Sequence, residues 1–206
     1  MMGRVSRREA GRAIPLSQEL ARKATHMGAL VIPTAYAVLG LSKLEMLLIM
    51  VPITVIVISG DIARIRQTQV WFRFIRPVLG RMVRSHESAD FIGGTYILLS
   101  VCCCVALYDK WVAIAALSFI IVGDTFAAII GRTLGRIRFG RKTVEGSIGC
   151  LIGTVAVALA VHAIPLWIGL TGAVVATIVE AISIDIDDNL SVPIVSGLVM
   201  TLLLKF

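Results

Sequence analysis

Trp111-Val-Ala-Ile-Ala-Ala-Leu-Ser-Phe-Ile-Ile-Val-Gly-Asp124-Thr-Phe-Ala-Ala-Ile-Ile-Gly131 runs twenty-one residues with one charged side chain, Asp124. A helix of that length rises about 30 Å, the thickness of a bilayer's hydrocarbon core. Similar runs recur along the 206-residue chain. They predict seven spans, at 28–41, 44–60, 92–108, 111–131, 147–162, 164–182 and 191–204. Lys43 and Glu45 separate the first two, Asp109-Lys110 the third and fourth, and Pro165 the fifth and sixth. The expected fold class is therefore all-α, a polytopic transmembrane helical bundle.

Composition agrees. The chain is 57% hydrophobic with a mean hydropathy of +0.90, too little polar material to clothe a soluble domain of this size. The runs leave no room for a second, soluble unit. Residues 1–27 read as a basic tail approaching the first span, and 28–206 as one membrane domain with loops at 61–91, 132–146 and 183–190. The tail lacks the apolar h-region of a secretory signal. The cysteines, Cys102, Cys103, Cys104 and Cys150, all lie in apolar runs without a Cys-x-x-Cys pair, which suits packing rather than metal binding.

The net charge of +7 would suggest nucleic acid in a soluble protein. Here the cations lie between apolar runs, so nucleic acid is not expected; lipid headgroups and phosphates are. Seventeen of the twenty Lys and Arg residues fall in the first tail, the second-to-third loop and the fourth-to-fifth loop, leaving Lys43, Lys110 and Lys205 on the other side. The positive-inside rule then places the N-terminus in the cytoplasm and the C-terminus outside. Between Trp71 and Arg84, apolar residues at helical spacing suggest a helix lying in the headgroup layer.

Ionisable groups in or beside spans are costly and so draw attention. Asp124 stands roughly 10 Å before the end of its span, by helical rise, with Ala128, Gly131 and Gly135 following on one small-residue face. Next comes Gly135-Arg-Ile-Arg-Phe-Gly-Arg141-Lys142-Thr-Val-Glu145-Gly-Ser147. Arg141 interrupts the phosphate-loop spacing and no strand precedes it, so a nucleotide-fold loop is ruled out. Glycines, paired cations and a helix start still suit phosphate oxygens. A third group is Glu180 followed by Asp185, Asp187, Asp188 and Asn189, a stretch without Lys or Arg. Such oxygen ligands suit a divalent cation. A fourth is Glu19-Leu-Ala-Arg22-Lys23-Ala-Thr-His26 before the first span. Carboxylates and cations gathered on one face are what phosphoryl transfer requires, and a nucleophile reaching them from the bilayer would be a lipid hydroxyl.

Six blocks in order resemble the polyprenol kinase group: E-L-x-R-K-x-x-H (19–26), G-G-T-Y-I-L-L (93–99), G-D-T-F-A-x-x-x-G-R-x-x-G (123–135), G-R-K-T-V-E-G-S (140–147), V-E-A (179–181) and D-D-N-L-S-V-P (187–193). That group holds dolichol, phytol and farnesol kinases and CTP-dependent diacylglycerol kinases, with phosphatidate cytidylyltransferases as distant relatives. The resemblance implies CTP, or less often another nucleoside triphosphate, as donor and Mg²⁺ as cofactor. It points to Arg22, Lys23, Asp124, Gly131, Lys142, Glu145, Glu180, Asp187, Asp188 and Asn189.

The expected function is thus a multi-pass membrane kinase of a lipid alcohol, its site facing the cytoplasm, with a homodimer allowed. Arg22, Lys23, Arg141 and Lys142 would hold the triphosphate, with Gly131 and Asn189 beside it. Asp124, Glu180, Asp187 and Asp188 would supply metal ligands, and Glu145 or Asp188 would take the hydroxyl proton. Two rivals are a cytidylyltransferase, which would release pyrophosphate, and a transporter, which would show broken mid-membrane helices or an internal repeat.

Overall fold

The computed structural model describes residues 23–24, 26–69, 71, 73, 90–140, 142–182 and 186–206. Among these the chain forms seven helices: α1 (Val31–Val38), α2 (Lys43–Ile65), α3 (Gly93–Leu107), α4 (Lys110–Thr133), α5 (Val144–Ala160), α6 (Leu166–Ile182) and α7 (Asp188–Leu203). They fall on the seven apolar runs. A two-stranded ribbon, β1 (Arg138–Phe139) and β2 (Lys142–Thr143), closes the α4–α5 connection. Its pairing is antiparallel, Arg138 with Thr143 and Phe139 with Lys142. Gly140 takes φ +58° at the turn, a conformation that favours glycine. The fold is mostly helical, as expected, with this ribbon added.

Local chemistry sets the helix starts. Ser42 and Glu45 form a reciprocal capping box that opens α2, satisfying two donors a helix start leaves free. Thr143 accepts the Gly146 N–H to open α5. Asp187 does the same for Asn189 at α7, where a carboxylate also suits the positive end of the helix dipole.

Helix α4 is the hub, packing against α1, α3, α5, α6 and α7. Every residue from Val112 to Ile121 is buried. Glycine brings α5 closest. A Cβ on Gly123 would stand 2.9 Å from the Cys150 Sγ, and one on Gly149 would stand 2.9 Å from the Phe126 carbonyl. A Cβ on Gly131 would lie 2.9 Å from the Thr143 Oγ1 and 3.3 Å from the Gly146 Cα. The small-residue face after Asp124 therefore seats one backbone on another.

Helices α2 and α4 are long and apolar enough to cross a membrane, by length and composition. The other apolar helices are shorter, 10–17 residues, and at 1.5 Å per residue stop short of a full hydrocarbon core. Seven full spans are thus not what the helix lengths alone give. Helix α2 makes its extended contact with α3 and leaves Leu48 65% and Ile56 71% exposed. Of the 71–84 segment only Trp71 and Arg73 are described; Trp71 is buried and the rest of that expectation lies outside the described residues.

The two ends of the bundle differ. At one, Lys110 Nζ donates to the Leu41 carbonyl at 3.0 Å and lies over the Tyr36 ring. At the other, a buried pair joins α2 to α3. Arg64 Nε donates to Asp61 Oδ1 at 2.8 Å, and its guanidinium also reaches the Asp90 carbonyl. Asp61 Oδ2 accepts the Ile92 N–H at 2.9 Å and the Thr95 hydroxyl at 2.5 Å. Asp61 thereby caps α3 from a neighbouring helix, since no side-chain cap comes from Ile92. Asp61→Ala strands a buried guanidinium and two donors, so it should cost about 3–5 kcal/mol. The expected reading is a clearly lower unfolding midpoint in detergent. Ser59→Ala, which removes an exposed hydroxyl bonded to Val55, should shift it by under about 0.5 kcal/mol.

Candidate functional site

Lys142 closes the ribbon immediately before α5. Its Nζ donates to Glu180 Oε1 at 2.8 Å, to the Glu180 carbonyl and to Asp188 Oδ2 at 2.9 Å. Glu180 lies in the last turn of α6 and Asp188 opens α7. One ammonium thus joins three helix ends. Burial pulls the Lys142 pKa down, but Glu180 and Asp188 together lift it above the ordinary lysine value, so the cation stays charged.

A second junction forms on α4. Lys23, 3% exposed, donates to Asp124 Oδ2 and to the Asp124 carbonyl at 3.0 Å. His26 Nε2 lies 3.5 Å from the same carboxylate oxygen. The approach to the first span therefore supplies Lys23 and His26 to one aspartate. Arg22 and Arg141, both expected to bind phosphate, lie outside the described residues, as does Asp185.

The two junctions share one end of the bundle. Burial raises the Asp187 carboxyl above the usual range, and after the Asn189 bonds that lower it come the charges of Asp188 and Asp124, which raise it again. Asp187 Oδ1 accepts both Asn189 N–H groups, backbone at 2.9 Å and side chain at 2.7 Å. Asn189 in turn meets the start of α3: a Cβ on Gly93 would stand 3.3 Å from its Nδ2. The Gly93-Gly94 start, clamped by Asp61, is the floor beside the acidic turn.

The expected site residues sort by position. Asp124, Lys142, Glu180 and Asp188 sit in the two junctions, with Lys23 paired to the first and Asp187 and Asn189 alongside. Glu145 faces away, its carboxylate accepting the Ile137 N–H at 3.2 and 3.3 Å, so it secures the ribbon to α5. Gly131 packs on Gly146, as described above. The sequence reading missed Asp61 and Thr95 and counted Arg64 as a loop cation only. The available signal was the i, i+3 spacing of opposite charges at the end of an apolar run, where either charge alone would be expensive.

Among the described residues no three His, Cys, Asp or Glu side chains gather as a self-sufficient metal site. The lysines explain this, because each carboxylate they hold is turned toward an ammonium. The oxygen donors still fit Mg²⁺, which is usually held by one or two carboxylates plus phosphate oxygens rather than by an all-protein cage.

No family model matches the chain, and no solved structure matches it. It is similar to an uncharacterised protein of Rickettsia prowazekii (strain Madrid E), 22% identical over 189 residues, covering 85% of this chain and 90% of that one.

Proposed function

We propose that this protein is an integral membrane kinase that moves the γ-phosphoryl group of CTP to the hydroxyl of a lipid alcohol. The observation carrying this reading is the Lys142 junction, a charged lysine held by Glu180 and Asp188 at the end of a bundle whose outer face is apolar. Exposed Leu, Ile and Val on α2, α5, α6 and α7 suit a lipid surround, and 17 cations on the matching side support a cytoplasmic site. The six sequence blocks supply the reaction class and the donor.

In this reading an arriving triphosphate competes with the carboxylates for Lys142 and Lys23. Its charge takes the ammonium groups and frees Asp124 and Asp188, which with Asp187 beside them would hold Mg²⁺. The metal would neutralise charge on the transferring group. The bond from the γ-phosphorus to the β–γ bridging oxygen breaks, CDP leaves, and a bond to the lipid oxygen forms. The hydroxyl proton passes to Glu180 or Asp188, the two carboxylates Lys142 holds together. Glu145 is engaged with the ribbon and is not assigned this task. Apolar spans behind the site admit a hydrocarbon chain and exclude water, which disfavours hydrolysis.

Three measurements test the reading. With CTP labelled at the γ or the α phosphate, purified protein in micelles should transfer only γ-label to the lipid fraction. Label arriving from the α position would instead make it a cytidylyltransferase, and transfer from neither would remove the reaction. Lys142→Met should slow transfer by roughly 30- to 1,000-fold, about 2–4 kcal/mol, whereas Lys43→Met at the opposite end should change little; equal losses would indicate general destabilisation. A topology reporter fused after Phe206 should read as extracytoplasmic, and a cytoplasmic signal there would overturn the orientation.

A further inference from the structure

Three buried polar atoms have no hydrogen-bond partner among the described residues at this end of the bundle: Glu180 Oε2, Ser147 Oγ and Ser191 Oγ. Glu180 is 5% exposed and Ser191 8%. Leaving such groups unmatched costs about 1–3 kcal/mol each, so each calls for an explanation. Their positions along the helices place them together. On α5 and α6 the register is fixed by Thr154, whose hydroxyl lies 3.4 Å from both the Ala173 carbonyl and the Thr177 Oγ1. These helices run antiparallel, so the two turns back along α5 from Thr154 to Ser147 are matched by two turns onward along α6 from Ala173 to Glu180. That step sets Ser147 opposite Glu180. Ser191 lies one turn into α7 from Asp188, whose carboxylate meets Glu180 across Lys142.

We infer that Glu180 Oε2, Ser147 Oγ and Ser191 Oγ form a polar subsite, one helical turn beneath the Lys142 junction, for the hydroxyl head of a lipid alcohol. The inference rests on the proposed kinase reading and adds the acceptor's place to it. The chemistry fits a hydroxyl better than a phosphate. A carboxylate oxygen repels an anion but accepts from an O–H, while a serine hydroxyl donates to the alcohol's oxygen. The depth fits as well. The subsite lies on the apolar side of the ion pairs, so a head group bound there leaves its chain among the spans and its oxygen facing the Lys142-bound phosphate. A second hydroxyl, as on a glycerol head, could use the second serine.

The Ser147→Ala/Ser191→Ala double variant tests this with three readouts. Without alcohol, its unfolding midpoint should equal or exceed the wild type's and its affinity for CTP should be unchanged, because deleting a buried hydroxyl that lacks a partner relieves a cost rather than removing a bond. Farnesol and dioctanoylglycerol, added separately to detergent-solubilised protein, should raise the wild-type midpoint for at least one of the two and leave the variant's unmoved. The KM for that alcohol should rise roughly ten-fold, with KM for CTP unchanged. A lower midpoint in the alcohol-free variant would mean that the serines hold buried water or each other, and the subsite would fall. An unmoved alcohol KM would sink it too, leaving the kinase reading intact. A wild-type midpoint shift lost in the variant, without any phosphate transfer, would keep the subsite and remove the kinase.

Discussion

Lys142 brings its positive charge between two carboxylates, Glu180 and Asp188. The acidic turn before α7 contains no Lys or Arg in its own sequence, and Glu180 and Asp188 are partly or wholly withdrawn from water. Two such groups could not stay ionised side by side without a cation. The ribbon reaches across to supply it, and the start of α5, the end of α6 and the start of α7 are thereby held at fixed separation. The arrangement of the site end follows from that constraint. Asp187 caps α7 beside Asn189, and Asn189 rests on the glycine start of α3. A single ammonium therefore has two duties, holding the helix ends in place and standing ready for an anion.

The same logic appears in two other places with different partners. Lys23 serves Asp124, and Arg64 serves Asp61. The pairs differ in what surrounds them. Asp61 has both oxygens filled by three nearby groups, Arg64, the Ile92 N–H and Thr95, so it reads as a structural clamp. Asp124 is a quarter exposed and shares its field with Asp187, which groups it with the acidic turn. Burial alone would rank Asp61 the stronger candidate; satisfaction of its hydrogen bonds ranks it the weaker.

Much of the fold was legible because apolar runs and the groups between them are local signals. The breaks at Lys43, Asp109-Lys110 and Pro165 mark helix boundaries to within a few residues. What was not legible depended on contacts between distant segments. The length of α2 exceeded expectation because Asp61 and Arg64 neutralise each other within the helix, letting it continue to Ile65 where charge alone argued for a loop. The ribbon was missed because two-residue strands have no periodicity to detect. Glu145 looked chemical by its place in a motif, yet its partner is the backbone N–H of Ile137, eight residues earlier. Asp124, Glu180, Asp187 and Asp188 stood out by cost, since a charge in or beside an apolar run is expensive to keep.

The glycine contact between α4 and α5 also has a mechanical side. Gly131 rests against Gly146, while Gly123 and Gly149 leave room that the Cys150, Thr154 and Ile130 side chains fill, so the two helices sit close and a shift of one presses directly on the other. That close packing couples α4 to α5, and with them Asp124 to the foot of the ribbon. Helix α7 is tied to that foot through side chains, Asp188 sharing Lys142 with Glu180, so the site end of the bundle rests on close backbone packing on one side and on ion pairs on the other.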